Sequence, residues 1–161
     1  MTKLNLKIKL LADCSQHIPT LAQLWFNEIG REWIPHASVA RAERTYREHT
    51  NSEELPLTFV AIHEDKPVGM VSLRDNDGIR EDLTPWLGSL IVHPDYRRQG
   101  IGEKLVEIAK SSAKIMGYQR LYLFALDPSI PDWYEKLGWK YIGTDDFYQH
   151  TVTVMEIAVN R

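Results

Sequence analysis

The sequence predicts an α/β fold built on a mixed sheet of six or seven strands flanked by helices. Three observations support this prediction: apolar or alternating runs typical of strands, amphipathic stretches with a helical period, and a strand that leads through a glycine-containing loop into a long helix. The predicted order along the chain is β-α-α-β-β-β-α-β-α-β-β. A length of 161 residues suits a single domain spanning residues 1–161.

The first part of the chain predicts one strand and two helices. Apolar and polar side chains alternate from Leu4 to Leu10, which indicates a half-buried strand. Apolar residues at helical spacing predict a helix over about residues 17–32, with Trp25 on its buried face. A second helix is predicted over residues 38–49, because Ser38 is a favourable N-cap and one side of the segment is apolar.

The middle of the chain predicts a hairpin and then an exposed loop. Residues 58–62 and 68–73 are apolar runs, and the acidic and proline residues between them suit a short turn. Residues 74–85 are polar and carry charges of both signs, so they are predicted to form an exposed loop. The strand that ends at Val92 is apolar on both faces, as expected for a strand covered by helices on both sides.

The second half of the chain predicts a crossover helix, a short helix and three more strands. The helix over residues 101–115 has a predicted buried face of Ile101, Leu105, Ile108, Ala109, Ser112 and Ile115. Because this helix connects two strands, residues 121–125 are predicted to pair in parallel with the preceding strand. Residues 129–132 have the spacing of a capping box before a two-turn helix. Residues 139–143 and 151–159 are predicted to form the last strands.

Composition and charge argue against several classes of function. The formal net charge is −3, whereas binding to nucleic-acid phosphates needs a concentrated basic face, so no nucleic-acid partner is expected. No segment approaches the ~20 apolar residues of a membrane helix or resembles a signal peptide, so a soluble, cytoplasmic protein without a membrane partner is expected. Cys14 is the only cysteine and no two histidines stand at ligand spacing, so no metal site is predicted.

The segment from Arg97 to Gly102 has the features of an anion-binding loop. Its glycines stand where the first helical N–H groups lack acceptors, and two arginines add positive charge beside the positive end of the helix dipole. It is not a Walker loop, because Glu103 follows the second glycine where lysine is needed. It is not a dinucleotide-binding fingerprint either, because Leu105 occupies the position of the third glycine.

Two motifs resemble those of the GNAT acetyltransferases. Arg97, Gly100 and Gly102 match the Arg/Gln-x-x-Gly-x-Gly/Ala loop of that family. The segment from Trp133 to Trp139 is similar to the end of its C-terminal signature, Phe-Tyr-x-x-Leu-Gly-Phe. The two motifs occur in the family's order, with a helix and a strand between them.

The resemblance implies an enzyme that takes acetyl-CoA as acetyl donor and acetylates a primary amine by direct attack on the thioester. In the family the loop holds the pyrophosphate, and a bulged strand splays from its neighbour so that the pantetheine arm enters between them. Gly88 is a weak strand residue and is consistent with such a bulge or with a close backbone approach. The implied cofactor-binding residues are Leu90, Ile91, Val92, Arg97, Arg98, Gln99, Gly100, Ile101, Gly102, Asp127 and Tyr134.

Two positions near the implied pantetheine path depart from the family pattern. Asp127 stands where asparagine is usual, and Ile130 stands where alanine is usual. An ionised Asp127 can accept hydrogen bonds from the cofactor arm but cannot donate them. A role as a turn residue before Pro128 is the alternative interpretation.

The implied chemistry assigns roles to two residues and leaves a third role open. A backbone N–H near Val92 would hold the thioester oxygen as it gains negative charge. Tyr134 would protonate the departing thiolate, because a phenol with a pKa near 10 is protonated at neutral pH. The candidates for accepting the proton of the attacking amine are Glu28, Glu32, Asp75 and Glu81, or a water held by them.

The family builds its acceptor pocket from the first two helices and the loop before the bulged strand. Here these segments supply the predicted substrate-binding residues Trp33, Asp75, Glu81 and Trp86. Acidic groups steer cations and aromatic faces stabilise them, so a small cationic amine is the predicted acceptor. A protein or peptide acceptor and a noncatalytic acyl-CoA-binding module are the alternatives. A homodimer is compatible with aromatic residues near the C-terminal strands.

Overall fold

The computed structural model describes residues 5–160, and within them the chain forms a seven-stranded mixed sheet. The strands are β1 Leu6–Leu10, β2 Leu57–His63, β3 Lys66–Arg74, β4 Trp86–Val92, β5 Arg120–Ala125, β6 Lys140–Phe147 and β7 His150–Ala158. Their order across the sheet is β1-β2-β3-β4-β5-β7-β6. As the crossover predicts, β4 and β5 pair in parallel, and the other neighbouring strands are antiparallel. Leu4, predicted to belong to the first strand, lies outside the described residues.

Helices cover both faces of the sheet, which confirms the predicted α/β class. They are α1 Ile18–Trp25, α2 Arg31–Trp33, α3 Val39–Arg47, α4 Ile101–Ile115 and α5 Pro131–Lys136. On one face, α4 packs over a core that includes Leu73 and Leu121. On the other face, α1 and α3 pack over Val60, Met70 and Ile91.

A π-helical segment, Phe26–Gly30, joins α1 to α2 and changes which residues face the core. Its wider turn holds about one more residue than an α-helical turn, so the helical period used to predict residues 17–32 fails beyond Trp25. Trp25 ends α1 and packs against the core cluster on this face of the sheet, as predicted, although it is only partly buried. Its ring lies against Gly30, where a Cβ atom would come within 2.4 Å of it.

The buried face of α4 differs from the predicted one at its C-terminal end. Ile101, Leu105 and Ala109 are buried as predicted, but Ala113 continues the buried row and Ile115 is 86% exposed. Each i+4 step advances around the helix by about 40°, so a row built from such steps drifts away from the side that carries Ile115.

The segment between β3 and β4, predicted to be an exposed loop, covers one end of the sheet. Ile79 is buried in a cluster with Trp86 and Val152, and Leu83 packs against that cluster. The indole Nε1–H of Trp86 donates a hydrogen bond of 2.7 Å to the carbonyl of Leu83. The segment is a loop and most of its residues are exposed, as predicted, but its few apolar side chains are buried or partly buried and fix its position.

The start of α5 is not capped as predicted. The helix begins at Pro131, a favourable first residue, and Ile130 precedes it without a capping side chain. Ser129 instead donates from its backbone N–H and its hydroxyl to Oδ1 of Asp127, at 2.9 and 2.8 Å. The capping-box prediction is therefore wrong. At α3, in contrast, the predicted N-cap is confirmed, because Oγ of Ser38 accepts a hydrogen bond from the first turn.

The described part of the chain contains neither a membrane-spanning helix nor a cluster of metal ligands. No helix within residues 5–160 is both long and apolar enough to cross a membrane. Over the same residues, no group of three or more histidine, cysteine, aspartate or glutamate side chains is arranged to hold a metal ion.

Candidate active site

β4 and β5 separate beyond their first residues and open a cleft in the middle of the sheet. The residue pair that joins them is Trp86 with Tyr122, and the N–H of Tyr122 donates to the carbonyl of Pro85 at 3.1 Å. From there toward Val92 and Ala125 the two strands diverge. The resulting cleft has a volume of about 1200 Å³ and is lined by residues from all five helices. This opening agrees with the splayed strands that the family resemblance implies.

The three β4 residues predicted to bind the pantetheine arm differ in what they offer the cleft. The N–H of His93 donates to the carbonyl of Val68 in β3 at 2.8 Å. Consecutive N–H groups of a strand point to opposite sides, so the N–H of the preceding residue, Val92, points away from β3 and toward the cleft. By the same alternation, the N–H of Ile91 has the opposite orientation and faces β3. Leu90 lies in a bulge and lines the cleft. The structure thus offers Val92, rather than Ile91, as a backbone donor.

The loop from Arg97 to Gly102 presents backbone N–H groups to the cleft. Gly100 precedes α4 with φ of +81°, a conformation that favours glycine, and a Cβ atom there would meet nothing within 4 Å. The N–H of Lys104 bonds to the carbonyl of Gly100 at 3.1 Å, so the N–H groups of residues 101–103 have no acceptor within the helix. Such helix N-termini bind phosphate groups. The side chain of Ile101 is buried in the core, so its predicted contribution to cofactor binding is limited to its backbone.

The loop's polar side chains differ in their contacts. Arg97 donates from Nε to the carbonyl of Val92 and from Nη2 to Oε1 of Glu28, both at 3.1 Å. It therefore ties the loop to β4 and to the π-helical segment. Arg98 is exposed in the cleft wall and supplies positive charge beside the helix N-terminus. Gln99 is also exposed, but the structure places it outside the cleft wall.

Tyr134 lies in α5 and lines the cleft. Its ring packs edge-on against the rings of Trp133 and Trp139, with centroid distances of 5.0 and 5.6 Å. Burial raises the pKa of the Tyr134 phenol above its ordinary value of 10.0, so the hydroxyl is protonated throughout the physiological range. This is the protonation state that a proton donor needs.

Asp127 follows β5 and lines the cleft, but its carboxylate belongs to a turn. Oδ1 accepts the two hydrogen bonds from Ser129, the first from the backbone and the second from the hydroxyl. These hydrogen bonds lower the pKa of Asp127 below its usual value, so it is ionised at neutral pH. The geometry therefore favours the turn-residue interpretation over a role as hydrogen-bond acceptor for the cofactor arm.

The predicted substrate-binding residues do not all reach the cleft. Trp33 lines it, and the ring of His150 packs edge-on against Trp33 at 5.1 Å. Trp86, in contrast, is fully buried, because the apolar residues of the β3–β4 segment enclose its indole ring. Asp75 and Glu81 are exposed and lie outside the cleft wall. The predictions for Trp86, Asp75 and Glu81 are corrected accordingly.

The turn between β6 and β7 is a part of the cleft that the sequence did not reveal. Tyr148 lines the cleft, and both Tyr148 and Gln149 have positive φ, at 46° and 69°. Neither residue type signals a tight turn. The ring of Phe147 lies close to Gly78: a Cβ atom on residue 78 would come within 2.9 Å of Cε2 of the ring. Together with the contact between His150 and α2, this turn bridges two walls of the cleft.

Two of the four carboxylates predicted as candidates for accepting the amine's proton line the cleft. Glu28 lies on the π-helical segment, with its side chain 21% exposed and paired with Arg97. Glu32 lies on α2, about one helical turn further on, and is exposed. Asp77 also lines the cleft, but its Oδ1 accepts from Nη1 of Arg74 at 2.8 Å.

A buried polar row lies beside the cleft, beneath α3. Nδ1 of His49 lies 3.0 Å from Oγ1 of Thr58, which lies 2.6 Å from Oγ of Ser72, and all three side chains are buried. Burial, and secondly the positive charge of Arg74, lower the pKa of His49 to about 3. His49 is therefore neutral at physiological pH and poorly suited to accept the amine's proton.

Acidification is expected to destabilise the protein through His49. Its folded-state pKa of about 3 lies below the ordinary value of 6.5, so the unfolded state binds more protons between these values and stability falls as the pH falls through them. At ~1.4 kcal/mol per pKa unit, the loss is at most about 5 kcal/mol. Urea unfolding at pH 7 and at pH 5 measures the first part of this loss, about 2 kcal/mol, with a His49→Gln variant as control. An equal loss in both proteins would contradict this role.

The cleft suits a coenzyme A thioester in the chemistry of its groups. The α4 N-terminus offers N–H donors without helical acceptors, and Gly100 leaves open space above them. Val92 offers a backbone donor between the diverging strands. Tyr134 lines the same cleft in its protonated form. These groups would hold the pyrophosphate, the thioester oxygen and the leaving sulfur, respectively.

Solved acetyltransferase structures share this fold at low sequence identity. An aminoglycoside 6'-N-acetyltransferase complexed with coenzyme A is similar at 19% identity over 95% of this chain and 97% of that chain, with a TM-score of 0.74. The aminoglycoside 6'-N-acetyltransferase from Enterococcus faecium has 19% identity, the same coverages and a TM-score of 0.72. The ribosomal-protein-S18-alanine N-acetyltransferase from Escherichia coli has 18% identity over 97% of this chain and 95% of that chain, also with a TM-score of 0.72.

The amino-acid sequence shows to which protein family the chain belongs. No curated protein sequence matches the chain. The family model described as an acetyltransferase (GNAT) domain matches residues 54–141, which is more than half of the chain and includes β4, the anion-binding loop, α4, β5 and α5. With the shared fold, this match identifies the chain as a member of the GNAT family of acetyltransferases, acyltransferases that use acetyl-CoA as the acetyl donor.

Proposed function

We propose that this chain transfers the acetyl group of acetyl-CoA to a primary amine of a small cationic molecule. One observation carries the proposal: the anion-binding loop, the phenol of Tyr134 and the carboxylates of Glu28 and Glu32 line a single cleft. A donor site and an acidic acceptor side therefore meet where β4 and β5 separate. The similar aminoglycoside acetyltransferases are named for cationic amine substrates, which supports the same class here.

The residues of this cleft act in successive steps of the proposed reaction. The amine attacks the thioester carbonyl while the N–H of Val92 donates to the carbonyl oxygen as it gains negative charge. The carbon–sulfur bond then breaks, and Tyr134 gives its proton to the departing sulfur. The amine's own proton passes to Glu32, to Glu28 or to a water that one of them holds. Of these two carboxylates, Glu28 is already paired with Arg97, which leaves Glu32 as the less constrained acceptor.

The shape of the acceptor side favours a small molecule over a polypeptide. The β6–β7 turn contacts α2 through His150 and Trp33, and it contacts the β3–β4 segment through Phe147 and Gly78. These contacts bound the acceptor side, whereas an extended peptide needs an open groove. A peptide acceptor keeps one argument in its favour, because one similar structure is named for acetylation of a ribosomal protein's alanine.

Kinetics with matched amines test the proposed acceptor class. We expect kcat/KM to be higher for polycationic amines, such as polyamines and aminoglycosides, than for amino acids and short peptides. A Glu32→Gln variant is expected to lose at least about 10²-fold in kcat/KM for polycations, because it removes both the proposed acceptor of the amine's proton and one negative charge from the cleft wall. Glu81→Gln removes a charge outside the cleft wall and serves as the matched control. A preference for peptides, or equal effects of the two variants, would contradict the proposal.

Domain organisation, cellular location and oligomeric state are also proposals. The chain is proposed to act as a single acetyltransferase domain over residues 1–161 and to reside in the cytoplasm. A homodimer is proposed to involve the aromatic residues of the β6–β7 hairpin, where Tyr141 and Tyr148 are 58% and 56% exposed. Sedimentation analysis of the purified chain tests the dimer, which is contradicted by a monomer at all concentrations measured.

A further inference from the structure

A four-residue polar cluster lies against the bulge in β4. Oγ of Ser89, in the bulge, accepts hydrogen bonds from the hydroxyl of Tyr46 at 2.9 Å and from Nη2 of Arg74. Nη1 of Arg74 in turn donates to Oδ1 of Asp77 at 2.8 Å. The serine hydroxyl therefore joins α3, the end of β3 and β4, and the guanidinium of Arg74 adds the β3–β4 segment.

The bulge needs such support because its backbone is unfavourable for serine. Between the pairs Met70–Ile91 and Ser72–Gly88, β4 contains one more residue than β3. Ser89 absorbs this extra residue with φ of +49°, in the left-handed region. A residue other than glycine costs about 1–2 kcal/mol there, and it persists only where its surroundings hold it. The two hydrogen bonds accepted by Ser89 are the contacts that hold it.

Gly88 gives the arginine room to reach the bulge. A Cβ atom at this position would lie 3.3 Å from both Cζ and Nη1 of Arg74, which is closer than ordinary van der Waals contact. The glycine that the sequence analysis associated with a bulge or a close approach therefore accommodates the guanidinium group. The residue of the bulge that has a left-handed backbone conformation is Ser89, which follows Gly88.

The bulge decides which backbone N–H faces the cleft. With the extra residue, Ile91 pairs opposite Met70 and Val92 opposite Gly69, so the N–H of Val92 points away from β3. Without the extra residue, the pairing of β3 with this part of β4 would shift by one residue, and the N–H of Val92 would hydrogen-bond to β3 instead. The side chains of residues 90–92 would exchange faces as well.

We propose that Arg74 is a positioning residue for acetyl transfer: with Tyr46 it holds Ser89 in the left-handed conformation and so aims the N–H of Val92 into the cleft. The inference rests on the proposed function, because Val92 matters only if that N–H serves the thioester. It differs from a substrate-binding role, since Arg74 acts here through the backbone of β4. Asp77 completes the arrangement by fixing the other side of the guanidinium group.

Replacing Ser89 in two ways separates positioning from direct contact. Ser89→Ala removes the hydroxyl but keeps the strained φ, so we expect kcat to fall by about 10²-fold, the size of effect that misplacement of a catalytic group produces. Ser89→Gly also removes the hydroxyl but allows positive φ without strain, so we expect most of that loss to be recovered. If Ser89→Gly is as impaired as Ser89→Ala, the hydroxyl acts directly and the proposal fails.

A second set of variants tests the arginine and tyrosine without a large change in shape. Arg74→Lys and Tyr46→Phe are expected to lower kcat in the parent protein. In the Ser89→Gly background the same substitutions are expected to lower kcat little further, because the serine hydroxyl that both side chains contact is absent. Equal losses in both backgrounds would overturn the proposal. Affinity for coenzyme A, measured by calorimetry, is expected to fall much less than kcat in every variant, because the phosphate loop is untouched and only the contacts of β4 with the pantetheine arm change. Failure of the parent protein to bind coenzyme A or release thiol would instead refute the proposed function.

Discussion

A Tyr134→Phe variant is expected to lose about 10²- to 10³-fold in kcat, because a positioned general acid contributes an effect of that size. Phenylalanine keeps the packing of the ring against Trp133 and Trp139 and removes the proton that the leaving sulfur needs. Affinity for coenzyme A is therefore expected to change by less than about twofold. Initial rates of thiol release and calorimetric titration with coenzyme A measure the two quantities.

The control for this variant is Tyr141→Phe, which removes a hydroxyl from a residue that is 58% exposed on β6. Its kcat should match that of the parent protein. Because burial raises the pKa of Tyr134 above 10.0, its ionisation should not reduce the rate between pH 7 and pH 9. A Tyr134→Phe enzyme with the parent kcat would remove Tyr134 from the chemistry and revive the noncatalytic acyl-CoA-binding alternative.

A Gly102→Asp variant is expected to weaken binding of coenzyme A by about 10²-fold or more. The new carboxylate would stand in the first turn of α4, where it repels a bound pyrophosphate by up to about 4 kcal/mol at 4 Å. The same carboxylate favours the helix itself, because negative charge stabilises a helix N-terminus. Loss of binding without loss of thermal stability would therefore identify the helix N-terminus as the anion site.

Gly102→Ala is the matched control for size. A Cβ atom at this position would lie 3.4 Å from the nearest atoms of Trp133, which is ordinary contact, so alanine fits. Coenzyme A affinity in this variant is expected to stay within about threefold of the parent, since the backbone N–H groups are kept. If the aspartate and alanine variants bind coenzyme A equally well, the pyrophosphate does not lie at this turn.

The parts of the site that could be predicted from the sequence are those encoded by neighbouring residues. The anion-binding loop combines Arg97, Gly100 and Gly102 within six positions of a helix start, so its chemistry is visible locally. Tyr134 follows Trp133 in a short motif of the same kind. The parallel pairing of β4 with β5 followed from the intervening helix, because a crossover of that type leaves few topologies.

The parts that could not be predicted depend on contacts between distant segments. The cluster of Tyr46, Arg74, Asp77 and Ser89 spans four elements, and no local pattern connects them. Trp86 is predicted to line the acceptor pocket, but apolar residues of a mostly polar segment enclose its ring. A π-helical segment after Trp25 likewise interrupts a helix that the sequence predicts as continuous.

The most direct test of the proposed function is the initial rate of thiol release from acetyl-CoA, measured with the purified chain against polyamines, aminoglycosides, amino acids and short peptides. We expect at least one cationic primary amine to raise the rate above the no-acceptor control and to yield its N-acetylated product by mass spectrometry. A rate equal to the control with every amine, together with no binding of acetyl-CoA, would contradict both the donor site in the β4–β5 cleft and the proposed reaction.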